Sequence, residues 1–197
     1  MKLTLPLLVL ICVNFAWIGY LPLGFFRRDG QYNLRWWLTG LPFFLVPAYA
    51  LALQFDLVAA AWQPLPLPAP WNQLADAVAV LLATSSIALI TLALGTHRVP
   101  LALWHQDNDA PRSIVTYGAY KHIRHPFYTS FLMAFTAGLC VMPGLVTAAL
   151  LGYQFVALHV TAKREEGRLA ASEFGAEYQA YLARTGRFFP RPGGGAA

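Results

Sequence analysis

Charged residues leave this chain for long intervals and return in clusters. Leu3–Phe26 carries none, and the next apolar stretches are Trp36–Phe55 and Ala77–Gly95. Each is close to the roughly 20 residues that a helix needs to cross a bilayer. Pro126–Leu158 again runs without a charge. That is too long for one ordinary span, and Pro143-Gly144 supplies a turn that divides it into spans over 126–142 and 144–162. Between the second and third spans, Asp56–Asp76 holds Pro64, Pro66, Pro68 and Pro70. Alternating prolines cannot sustain a helix, so an extended connection is expected there. Lys163–Leu182 places Leu169, Phe174, Tyr178 and Tyr181 at roughly helical spacing among charges, which predicts an amphipathic surface helix. A loose tail follows from Pro190. A cleaved leader is the rival reading of the first run, but no small-residue cleavage site follows it. The expected fold is therefore an all-α integral membrane protein in a single domain over residues 1–197. It has about five transmembrane helices and a C-terminal amphipathic cytosolic helix.

Composition strengthens this reading. Hydrophobic residues make up 57% of the chain and charged residues 12%, about half the share of charge in a soluble domain. The net charge of +5 does not point to nucleic acid, because the basic residues flank the apolar runs. Arg27, Arg28 and Arg35 follow the first span, and Arg98, Arg112, Lys121 and Arg124 follow the third. Lys163, Arg164, Arg168, Arg184, Arg187 and Arg191 follow the fifth. The remaining loops hold no Lys or Arg. The positive-inside bias then puts the C-terminus in the cytosol, with the N-terminus outside. His97–Ile123 and the basic tail share that cytosolic face and can build one site together. Cys12 and Cys140 lie inside apolar runs and read as packing residues.

Two constellations carry candidate chemistry. Arg124-His125-Pro126, with Tyr120 and Tyr128, stands where a span begins. Pro126 suits a first helical turn, so the helix start beside Arg124 and His125 can receive an anion such as a carboxylate. The plain alternative is a basic interfacial anchor with belt tyrosines. Glu165-Glu166 emerges from the last span between Arg164 and Arg168. A carboxylate there can accept from an ammonium group or ribose hydroxyls, or the pair is merely solvated beside its cations. His97, His105, His122, His125 and His159 come with no metal-site spacing, so no metal is expected. Asn14 and Gln154, polar residues within spans, are expected to bond between helices.

Gly118-Ala119-Tyr120-Lys121-His122-Ile123-Arg124-His125-Pro126-Phe127-Tyr128 resembles the Gly-x-Tyr-x-x-x-Arg-His-Pro-x-Tyr signature of the isoprenylcysteine carboxyl methyltransferase family, which belongs with the membrane phospholipid methyltransferases. Glu165-Glu166, Phe174-Gly175-Ala176-Glu177-Tyr178-Gln179-Ala180-Tyr181 and Arg187-Phe188-Phe189-Pro190 are similar to that family's downstream motifs, in order. The resemblance runs from Ile114 to Pro190, and Ala119 stands where the family usually has Pro. It implies an S-adenosylmethionine-dependent methyltransferase, multi-pass in the cytoplasmic membrane, with its site on the cytosolic face. By position, Gly118, Tyr120, Arg124, His125, Pro126, Tyr128, Glu165 and Glu166 would hold S-adenosylmethionine, with Arg124 and His125 nearest the chemistry. The acceptor would be lipophilic or small and meet the enzyme from membrane lipid. O-methylation of a carboxylate is the first expectation, with amine and thiol open. Two other classes compete: an NADPH-dependent reductase of the sterol-reductase type, and a non-enzymatic membrane assembly factor.

Overall fold

The computed structural model describes residues 3–19, 26, 29–96 and 114–192. It is helical, with no strand among the described residues. The helices are α1 (Leu5–Gly19), α2 (Leu34–Gln54), α3 (Trp71–Thr96), α4 (Pro126–Val141), α5 (Leu145–Ala170) and α6 (Gly175–Arg184). Short 3-10 turns occupy Ala60–Trp62 and Gly118–Lys121.

The five apolar runs are α1 to α5. By length and composition, α2, α3 and α5 can cross a membrane, whereas α1 and α4 are shorter apolar helices. The 16 residues of α4 rise about 24 Å, a little short of the ~30 Å hydrocarbon core. Two expectations are corrected. The proline-rich connection stops earlier than Asp76, because no proline follows Pro70 and α3 starts at once with Trp71. The surface helix expected over Lys163–Leu182 is two pieces: α5 continues unbroken to Ala170, and α6 is separate. Ser172 makes the break, its hydroxyl accepting from Phe174 N at 3.2 Å and its carbonyl from Gly175 N at 2.9 Å. Gly175 is needed there, since a Cβ would stand 2.5 Å from the Ala170 carbonyl oxygen.

Packing follows from side-chain size. α3 and α4 lie along one another, meeting through buried small residues such as Ala79, Ala83, Ala134 and Ala137, which let helices approach closely. Phe15, Phe43, Phe131 and Phe135 fill the centre, with edge-to-face pairs at 4.8–5.3 Å between centroids. The polar exceptions bridge helices as expected. Ser86 on α3 donates to the Ser130 carbonyl at 2.7 Å and lies 3.2 Å from Asn14 Oδ1. Gln154 donates to the Thr39 carbonyl at 3.3 Å. Pro42, inside α2, leaves the Leu38 carbonyl without its helical N–H, and the Tyr153 hydroxyl supplies the donor at 2.7 Å.

The bundle has two distinct ends. At one, the proline-rich connection meets the α4–α5 turn through Leu65 N donating to the Pro143 carbonyl at 2.6 Å. At the other, the starts of α2 and α4, the ends of α3 and α5, and α6 come together. If the basic end is cytosolic, a reporter fused after Pro190 should be cytosolic, and a tag within Pro64–Pro70 should react with an impermeant reagent from outside. Both on one side would overturn the five-span topology.

Candidate functional site

The segment before α4 is held by the chain that follows α6. Arg124 N donates to the Gly186 carbonyl at 2.9 Å, His125 N to the Arg187 carbonyl at 3.1 Å, and Gly186 N to the His122 carbonyl at 3.3 Å. This short parallel pairing of Ile123 with Gly186 takes up the backbone donors of Arg124 and His125, beside the helix start where an anion was expected. Gly186 is required by space: a Cβ would collide with the backbone of Phe189.

Glu166 gathers the cations. Arg187 grips it bidentately, Nε to Oε1 at 3.0 Å and Nη2 to Oε2 at 2.5 Å. Arg124 Nε meets the same Oε1 at 3.0 Å. The Arg124 Nη1 donates to the Thr185 carbonyl. Planar guanidinium groups are suited to such multiple donation. The hydrogen bond to Glu166 holds the Arg187 guanidinium above its ordinary pKa. The side chains of Arg124 and Glu166 are 10% and 9% exposed, so these charges lie well out of water.

Glu165 has different partners. Tyr128 donates its hydroxyl to Glu165 Oε1 at 2.7 Å. The His125 ring stands between the two acids, Nδ1 3.5 Å from Glu165 Oε2 and Nε2 3.3 Å from Glu166 Oε1. Its ring is stacked on Tyr128 at 5.0 Å and 5°, and Phe188 covers both rings from the tail. Tyr120 joins from the 3-10 turn, its carbonyl accepting from the buried Tyr181 hydroxyl at 2.6 Å. Burial pushes the phenols of Tyr120, Tyr178 and Tyr181 well above their usual pKa, so they stay neutral.

Of the residues singled out in the sequence, Tyr120, Arg124, His125, Tyr128, Glu165 and Glu166 converge at this end. Pro126 is the first residue of α4, buried beneath them. Gly118 stands apart: it has φ +59 and packs against Thr96 at the end of α3, so its part is the turn. Of the histidines, His159 lies at the edge of the site, its ring 3.3 Å from Arg187 Nη1 and beside Phe188, His122 is exposed, and His97 and His105 lie outside the described residues, as do Arg27, Arg28, Arg98 and Arg112. Among the described residues, no group of three or more His, Cys, Asp or Glu could hold a metal ion. The site residues missed from sequence are Thr129, Thr185, Arg187 and Phe188. Thr129 donates to the Phe188 carbonyl at 2.9 Å and so pins the tail. The Arg-Phe-x-Pro motif was the signal for Arg187 and Phe188; a lone Thr carries none.

The pattern of the isoprenylcysteine carboxyl methyltransferase (ICMT) family matches residues 77–171, which include Arg124, His125, Tyr128 and both acids. Over 169 residues the chain is 28% identical to Methanethiol S-methyltransferase 2 of Bradyrhizobium diazoefficiens, covering 80% of this chain and 64% of the relative. It is 28% identical over 171 residues to Methanethiol S-methyltransferase of a Pseudomonas species, with the same coverage. It is also 31% identical over 112 residues to Cobalt-zinc-cadmium resistance protein CzcN of Cupriavidus metallidurans, covering 53% of this chain and 51% of the relative. The match to the two methanethiol proteins thus spans just under two thirds of their length.

Proposed function

We propose that this chain, whose residues 77–171 match the isoprenylcysteine carboxyl methyltransferase family, is a membrane methyltransferase of that family. It would carry a methyl group from S-adenosylmethionine to a small thiol, at the basic, cytosolic end of the bundle. The observation that carries this reading is the convergence of Glu165, His125 and Tyr128 under the Phe188 cover, within the residues that match the family.

The residues present fit the cofactor. Glu165 offers carboxylate oxygens for an ammonium group or ribose hydroxyls. The neutral tyrosine faces and the stacked His125 suit an adenine ring or a sulfonium. Arg124 has two of its nitrogens committed to Glu166 and Thr185, so its role is to fix Glu166 and the tail rather than to take the cofactor's carboxylate alone. When bound, the cofactor supplies an activated methyl that needs only an in-line nucleophile. A thiolate needs no general base at the moment of attack. What the chain contributes is placement, by the Arg124–Glu166–Arg187 network, and a dry surrounding, by Phe188 and the stacked rings.

The relatives named for methanethiol favour sulfur over the carboxylate oxygen first expected, and none of the matches above supports the reductase reading. Titration in detergent should show saturable binding of S-adenosylhomocysteine and none of NADPH; NADPH binding alone would sink the methyltransferase reading. With a labelled methyl donor, label should pass to methanethiol in preference to a prenylated peptide carboxylate or a phospholipid amine. Label on the carboxylate only would return the chemistry to oxygen.

A further inference from the structure

A cavity of about 650 Å³ lies between the first turns of α2 and the part of α5 from Tyr153 onward. Its lining is divided by chemistry. Arg35, Arg164 and Arg168 stand at the end of the bundle that carries the candidate site, and Leu38, Val156 and Val160 continue away from them along the two helices. Leu38 and Val156 are 51% and 60% exposed, on helices long and apolar enough to cross a membrane. Arg164 and Arg168 are one helical turn apart, an arrangement of like charges that costs stability in a helix by itself. Arg35 comes from α2 to line the same space. Among the described residues, Glu165 is the one carboxylate of the lining, so three guanidinium groups share the cavity with a single carboxylate. The wall therefore has an excess of positive charge at one level and an apolar trench directly below it.

We propose that this cleft is a binding site for an anionic glycerophospholipid of the bilayer. The phosphate would lie among Arg35, Arg164 and Arg168, and one acyl chain along Leu38, Val156 and Val160. Juxtamembrane arginines attract anionic headgroups, and a planar guanidinium is matched to phosphate oxygens. Generic positive-inside arginines would spread over the surface, whereas these line one cavity that has an apolar continuation of the right chemistry for a lipid tail. The inference does not depend on the methyltransferase reading.

The test is native mass spectrometry of the full chain released from nanodiscs made of phosphatidylglycerol and phosphatidylcholine with identical acyl chains. The unaltered protein should retain phosphatidylglycerol in preference to phosphatidylcholine. The combined variant Arg35→Gln, Arg164→Gln, Arg168→Gln should lose that preference by about tenfold or more. Ala157→Trp keeps every charge and fills the trench, so it should lose the retained lipid too, and it serves if the triple variant does not fold. Equal retention of the two lipids, or an unchanged preference in either folded variant, would overturn the proposal. So would displacement of the retained lipid by S-adenosylhomocysteine, which would assign the cavity to the cofactor.

Discussion

Glu166→Gln should unfasten the tail and lower the stability of the purified protein by about 3 kcal/mol, the usual cost of removing one member of a buried ion pair. The carboxylate faces Arg124, Arg187 and His125 at once, so its loss leaves two guanidinium groups together with no negative charge between them. Limited proteolysis should then cut within Thr185–Pro190, where the unaltered chain is protected. Glu165→Gln is the control with the same chemistry one residue away. Its amide oxygen can still accept the Tyr128 hydroxyl, so thermal stability should change by no more than about 1 kcal/mol. Affinity for S-adenosylhomocysteine should nonetheless fall by about tenfold, equivalent to ~1.4 kcal/mol. Equal melting of the two variants would contradict the division of labour between the acids.

Arg124→Lys should insert and fold yet lose methyl transfer by tenfold or more, with each factor of ten corresponding to about 1.4 kcal/mol of transition-state stabilisation. An interfacial anchor needs positive charge near the headgroups, and lysine on its flexible stem serves as well as arginine. The role seen here needs geometry: Nε reaches Glu166 while Nη1 reaches Thr185. A single ammonium cannot hold both in the same plane. Arg124→Ala would not discriminate, because it removes charge and fork together. A normal rate in folded Arg124→Lys protein would reduce the motif to an anchor and remove Arg124 from the site.

Much of this was legible from the chain. The apolar runs became helices because each backbone group must be satisfied within its own segment in lipid, and Pro126 began α4 because its missing N–H costs nothing there. The convergence of Arg124 with Glu166 could be expected from their shared end of the bundle, but their separation of roles could not. Adjacent residues on a helix point about 100° apart, so Glu166 turns to Arg187 while Glu165 turns to Tyr128, and spacing alone does not say which. The break at Ser172 left only a faint trace: Leu169 and Phe174 are five residues apart, off the shared face of a helix, whereas Phe174, Tyr178 and Tyr181 keep helical spacing. The α2–α5 cleft was hidden because it depends on how two helices are rotated against each other, which hydropathy does not record.

The threading of Gly186–Phe188 across the start of α4 bears on the order of biosynthesis. A ribosome delivers the apolar helices α1 to α5 before it reaches Gly186. Yet Arg187 and Phe188, which complete the surroundings of Glu166 and His125, emerge after all five of these helices. A chain stalled after α5 would hold every one of these apolar helices and an unfinished site. On the proposed function, messages cut short in this region should therefore yield membrane-resident polypeptide unable to bind S-adenosylhomocysteine, and methyl transfer should arise as a discrete event rather than growing with each helix added.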